Sequence, residues 1–190
     1  KETVKLRLLL LDDEQDIINS LTRLFRKEYQ IITFNDGNEA LAYLAKNGID
    51  LIMSDMRMPK MNGANFLSKS RKLHPHAIRL LLTGFSDMES TVRAINEGGI
   101  YTYACKPWDN QELKITLSKA AEHYLLKKEI RELGEKNIKS TVKLAKLNQS
   151  LETKVAQRTE ALIAIQQKLQ ITLNTQNDLL LDALDMMSAT

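Results

Sequence analysis

Apolar residues in the first half of the chain fall into five short runs, and helically spaced stretches follow them. Leu6 to Leu11 is nearly continuous, which predicts a strand buried on both faces. Asp12-Asp13-Glu14 come next, then Ile17, Ile18, Leu21, Leu24 and Phe25 at helical spacing, with Asp13 expected as the N-cap. Ile31 to Phe34 predicts a second strand. After the turn at Asn35-Asp36-Gly37, a helix carries Ala40, Leu41 and Leu44 and stops near Asn47-Gly48. Asp50 to Asp55 predicts a third strand, with Met58-Pro59 closing the segment because the residue before a proline is pushed to extended backbone. The next helix turns Phe66, Leu67 and Leu73 inward and ends at His74-Pro75. Ile78 to Leu82 predicts a fourth strand closed by Thr83-Gly84. Ser86 or Asp87 then caps a helix through Val92, Ala94 and Ile95 that ends at Gly98-Gly99. Ile100 to Cys105 predicts a fifth strand closed by Lys106-Pro107. Five strand–helix alternations predict an α/β fold, a doubly wound parallel sheet with right-handed crossovers.

From Asn110 onward there is no proline, and the only glycine is Gly134. Leu126, Ile130, Leu133, Asn137, Ser140, Leu144, Leu147 and Leu151 follow four-three spacing. Val155, Arg158, Leu162, Ile165, Leu169 and Thr172 follow it in a shifted frame. Two successive steps of four at Leu147-Leu151-Val155 make a stutter, which locally unwinds a left-handed coiled coil. The expectation is one long helix growing out of the sheet domain, paired with a second copy. Boundaries are expected at 1–122 for the sheet domain, 123–175 for the coiled coil and 176–190 for a helical tail leading to an output domain.

Composition narrows the classes. Hydrophobic residues are 43% and aromatics 5%, so the core must be aliphatic. A net charge of +3, with lysines interleaved among acids, gives no footprint of a nucleic-acid binder. No apolar stretch approaches the ~20 residues that cross a bilayer. One cysteine, Cys105, fits a reducing, cytoplasmic setting and reads as inert core. The chain begins at Lys1 and is expected to belong to something longer.

The chemistry lies at predicted strand ends: Asp12-Asp13, Asp55, Thr83 and Lys106. Each has an ordinary explanation as a helix cap, a turn residue or a solvated lysine. Together they place three carboxylates, a hydroxyl and an ammonium on one edge of the sheet. Clustered carboxylates repel, and a hard divalent cation such as Mg²⁺ relieves that repulsion. Asp13 and Asp55 would bind it directly and Asp12 through water. A carboxylate beside such an ion can attack phosphorus and become an aspartyl phosphate.

These residues, as Leu10-Leu11-Asp12-Asp13-Glu14, Asp55-Met56-Arg57-Met58-Pro59, Thr83-Gly84 and Tyr103-Ala104-Cys105-Lys106-Pro107, resemble the receiver domain of two-component response regulators over about residues 5–125. The resemblance implies a flavodoxin-like sheet of order 2-1-3-4-5. It implies that Asp55 accepts a phosphoryl group from a phosphohistidine on a sensor histidine kinase, with Lys106 and Thr83 assisting. It also implies that the Arg57 backbone carbonyl joins Asp12, Asp13 and Asp55 around Mg²⁺, that Lys106-Pro107 is cis, and that Thr83 and Tyr103 are the switch pair. Phe85, at a position that tunes phosphate lifetime, implies slow autodephosphorylation. Leu82 to Asp87, Ala94 to Tyr101 and Lys106 to Asp109 resemble a receiver subgroup often joined to cyclic-di-GMP phosphodiesterase outputs of the HD-GYP type. Leu151 to Leu162 is similar to the signalling helix joining such modules.

The expectation is a non-enzymatic phosphoacceptor switch acting through a homodimeric helix. Two alternatives use the same residues: an aspartyl-phosphate phosphatase, and a constitutive dimerisation module with a vestigial acidic site. The phosphatase usually needs a second acid two residues after the nucleophile, where this chain has Arg57. His74, His76 and His123 read as surface residues, and Trp108 as a packing anchor.

Overall fold

In the computed structural model, residues 5–84 and 99–188 are described, with side chains to residue 181. The elements are β1 (Arg7–Leu11), α1 (Gln15–Phe25), β2 (Gln30–Phe34), α2 (Gly37–Leu44), β3 (Leu51–Asp55), α3 (Gly63–Leu73), β4 (Ile78–Gly84), β5 (Thr102–Lys106) and α4 (Asn110–Ser188). The helix expected at Ser86–Gly98, and Phe85 with it, lies outside the described residues.

All strands pair in parallel, in the order β2-β1-β3-β4-β5. This is the flavodoxin-like order the resemblance implied. Strand residues alternate between two cores. Leu8, Leu10, Met53, Leu80 and Leu82 pack with Leu21 and Phe25 of α1 and with Leu113 and Leu117 of α4. Leu9, Leu11, Ile52 and Leu81 pack with Ala40 and Leu44 of α2 and with Phe66 and Leu67 of α3. A strand covered on both faces needs apolar residues at every position, hence the unbroken runs in the sequence.

β3 ends at Asp55, where the expected strand ends, and the Asp55 carboxylate accepts from the Arg57 N–H just beyond it. Several other boundaries moved. β4 runs through Thr83 to Gly84, which pair with Cys105 and Lys106 and carry the ladder to the rim. Asp13 is not the N-cap of α1. Glu14 holds that position with no side-chain bond, and Asp12 accepts from the Glu14 N–H instead. α2 ends at Leu44, short of Asn47-Gly48. Leu73, expected in the core, is 43% exposed at the last residue of α3. His74 is half-buried, with its Nε2 2.7 Å from the Leu44 carbonyl. His123 is half-buried and stacks on Tyr101. Trp108 packs against the α1/α4-side core, as expected.

The chain divides into two units, Lys1–Arg131 and Glu132–Thr190. The second is wholly helical in its described residues, and Leu144, Leu147, Leu151, Val155, Leu162, Ile165 and Leu169 are all exposed along it. Gly134 meets nothing within 4 Å that an added Cβ would touch.

Candidate active site at the carboxyl rim of the sheet

The central strands deliver the site. β1 ends at Leu11, so Asp12 is the first residue past the strand, and the ladder continues one bond further, from Asp12 N–H to the Phe34 carbonyl at 3.3 Å. Asn35 Nδ2 donates to the Asp12 carbonyl at 3.0 Å, which fixes the chain as it leaves the sheet. β3 ends on Asp55 itself, and Met56 N–H still donates to the Leu82 carbonyl at 2.8 Å. β5 ends on Lys106, and the Lys106–Pro107 peptide is cis. Because the strands are parallel, these ends share one rim, where ligands of open α/β sheets bind.

Lys106 joins them. Its Nζ lies 2.8 Å from Asp12 Oδ2 and 2.7 Å from Asp55 Oδ1. The other oxygens are held by backbone: Asp12 Oδ1 accepts from Glu14 N–H at 2.9 Å, and Asp55 Oδ2 from Arg57 N–H at 2.9 Å. Both carboxylates are buried, while Asp13 is exposed beside them. Burial pushes the Asp12 carboxyl above its ordinary range, although the Lys106 hydrogen bond and charge pull it down. Burial also weighs against the Lys106 ammonium, yet its hydrogen bonds to Asp12 and Asp55 win, and its pKa is raised. The two directions fit one picture. A single ammonium shared by two buried acids is strongly held, but it does not fully offset the dehydration of Asp12.

Carboxylate oxygens of Asp12, Asp13 and Asp55 all lie within 4.8 Å of one another. An all-oxygen, acid-rich set with an open side suits a hard divalent ion that keeps part of its water shell. The donor set therefore fits Mg²⁺.

The loop after β3 is positioned by a glycine that composition alone did not single out. A Cβ on Gly63 would fall 1.9 Å from the Asp55 carbonyl oxygen, a clash with backbone that nothing can relieve cheaply. Gly63 N–H donates to the Met56 carbonyl at 3.0 Å, so α3 starts directly against the end of β3. The Asn62-Gly63 dipeptide marked only a turn; the close approach needs the fold. Across the loop, Lys60 takes a left-handed φ of 66° and places its Nζ 2.9 Å from Asp36 Oδ2.

Thr83 is fully buried, one residue beyond Leu82, the register partner of Asp55. Its Oγ1 donates to the Gly84 carbonyl at 3.3 Å. Tyr103 is half-buried and packs against the α2/α3-side core. It also lines a cleft of about 510 Å³ with Pro107 and Trp108. Every predicted site residue thus falls at or beside one rim, with Tyr103 further back along β5.

The sequence profile of the response regulator receiver domain matches residues 8–118. The chain belongs to that family. Receivers of similar sequence occur in a hydrogenase transcriptional regulatory protein, HoxA, of Bradyrhizobium diazoefficiens, 32% identical over 127 residues. That match covers 67% of this chain and 26% of the relative. The chain thus spans about a quarter of the length of the curated relatives it matches. The signal receiver domain of an HD domain-containing protein from Pseudomonas fluorescens is 36% identical, with a TM-score of 0.64, covering 68% of this chain and 96% of that one. The crystal structure of an adenylate cyclase from Rhodopirellula baltica is 33% identical, with a TM-score of 0.65, over 68% and 96% of the two chains. This receiver carries the long helix α4 after its sheet, and no helix among the described residues is long and apolar enough to cross a membrane.

Proposed function

We propose that this receiver takes a phosphoryl group from the phosphohistidine of a sensor kinase onto Asp55, with Mg²⁺ held by Asp13, Asp55 and the Arg57 carbonyl, and by Asp12 through water. The observation that carries the reading is the shared ammonium: Lys106 Nζ sits 2.7 Å from Asp55 Oδ1 and 2.8 Å from Asp12 Oδ2. An attacking carboxylate needs no general base, because it is already ionised. The Asp55 oxygen forms the new P–O bond, the P–N bond to the donor imidazole breaks, and the imidazole nitrogen keeps the electron pair and takes a proton. Lys106 faces the oxygens on which negative charge remains, and Thr83 offers a hydroxyl to the same group. When bound, Mg²⁺ supplies positive charge against the phosphoryl oxygens. Water entering at the same phosphorus would return free phosphate.

A phosphoryl group adds about −1.5 to −2 charges to a rim that Lys106 now holds together. Thr83 and Tyr103 are the residues we assign to the resulting switch, and the exposed apolar stripe of α4 to a homodimeric coiled coil driving an output domain. A cytoplasmic setting suits a partner kinase that uses a soluble phosphodonor surface. Arg57, with its N–H on Asp55 Oδ2, occupies the place of the acid that a phosphatase would need.

Acetyl phosphate with Mg²⁺ tests the assignment directly. Wild type is expected to gain one phosphoryl group by intact-mass measurement, and Asp55→Asn none. Labelling of the Asn variant at the wild-type level would overturn the reading.

A further inference from the structure

A second polar cleft, of about 400 Å³, lies at the opposite ends of the strands from Asp55, where β4 begins and the chain enters β5. Arg71, Arg79, Lys127 and Arg131 line it, with His76 and His123. No carboxylate lines it among the described residues. In a chain whose net charge is only +3, this is a local concentration of cations, with no acid among the described residues that line it.

Arg79 makes the point sharper, because it is 3% exposed. Its Nε donates to Ser70 Oγ at 3.1 Å and its Nη1 to the Ala77 carbonyl at 2.7 Å, while Nη2 donates to the His74 carbonyl. All three acceptors are neutral, whereas buried charges are ordinarily paired. Burial and the neighbouring Arg71 pull its guanidinium down to about 10, the direction of an uncompensated cation. Arg71 is seated close to the backbone. Gly99 has a φ of +63°, and a Cβ there would fall 2.8 Å from Arg71 Nη1. Tyr101, 41% exposed, stacks on His123 with ring centroids 4.7 Å apart and planes 26° apart.

We propose that this cleft binds a small phosphate-bearing molecule of the nucleotide class, with Arg71, Lys127 and Arg131 receiving the phosphates and Tyr101 receiving the base. Guanidinium groups bind phosphate oxygens in a bidentate manner, and aromatic rings stack on any base. The cleft falls in the size range of small-ligand pockets, roughly 300–1,000 Å³. Buried Arg79 supplies positive potential without itself needing to reach the ligand. The proposal does not depend on phosphorylation of Asp55.

The test is calorimetric titration of the full chain with ADP and, separately, with pyrophosphate. EDTA is present so that no metal bridges the ligand to the acidic rim. Saturable ADP binding is expected, tighter than pyrophosphate and accompanied by shifts of the His123 imidazole signals in labelled protein. Lys127→Glu and Arg71→Glu, each checked for fold by circular dichroism, are each expected to weaken ADP binding about tenfold or more. Asp55→Asn should bind ADP as wild type does, which separates this site from the phosphoacceptor. No saturable binding, equal binding of pyrophosphate and ADP, or binding unaffected by both charge reversals would overturn the proposal.

Discussion

Lys106 is the residue on which the rim turns. Without a cation, the buried carboxylates of Asp12 and Asp55 and the exposed one of Asp13 would face each other within 4.8 Å. Lys106→Met keeps the length and apolar stem and removes the charge. It is expected to cost about 2–3 kcal/mol of stability, less than the loss of a fully buried pair because the lysine side chain is 22% exposed. Millimolar Mg²⁺ should restore more stability to this variant than to wild type; urea unfolding with and without the ion measures both. A second buried contact lies at the other end of the sheet. Tyr124 Oη donates to Asp50 Oδ1 at 2.5 Å, and Arg7 N–H donates to Oδ2 at 2.8 Å. Burial and the Asp50 hydrogen bond push the Tyr124 hydroxyl up to about 12 from an ordinary 10. The folded state therefore holds this proton more tightly than the unfolded one. Its contribution is fully present below about pH 10 and is lost as pH rises toward about 12. Tyr124→Phe should cost about 1 kcal/mol at neutral pH and flatten the decline in unfolding free energy above pH 10. An equally steep alkaline decline in that variant would show that Tyr124 does not contribute to it. Asp12, Asp55 and Lys106 were legible in sequence because a polar residue at the end of an apolar run is conspicuous. The Asp50–Tyr124 bond joins residues 74 positions apart, and Gly63 matters through a backbone approach. Neither leaves a local mark.

At the scale of elements, the strands were readable because both sheet faces are covered. Their ends were less so. β3 ends at Asp55 as expected, but what turns the chain there is the Asp55 side chain accepting the Arg57 N–H, four residues before the proline. Thr83-Gly84 looked like a turn, yet pairing with β5 keeps both in the ladder. The acidic start of α1 suggested a cap at Asp13. Instead Asp13 belongs to the acidic cluster, and Asp12 makes the local backbone bond with one oxygen while serving Lys106 with the other. Chemistry at the rim has displaced a capping role that sequence preference alone would assign. Asp36 and Asn62 cap α2 and α3 through their side chains, Asp36 while its other oxygen meets Lys60.

For the whole molecule, the exposed stripe on α4 calls for a partner. Leu151 and Val155 flank the stutter and are 50% and 62% exposed. In the homodimer we propose, a helix this long and this polar would gain its stability from a paired seam rather than from propensity. The proposed homodimer predicts twice the chain mass by light scattering, and loss of it in the Leu151→Lys/Val155→Lys double variant together with part of the helical signal. A dimer mass unchanged in that variant would reject the seam. Only Pro107, Trp108 and Asp109 lie between Lys106 and the first residue of α4. Trp108 packs, half-buried, against the core, and Asp109 Oδ1 accepts from the N–H groups of Gln111 and Glu112. There is thus almost no slack between the ammonium and the first turn of the stalk. A tug on that nitrogen meets a taut three-residue leash rather than a loose linker.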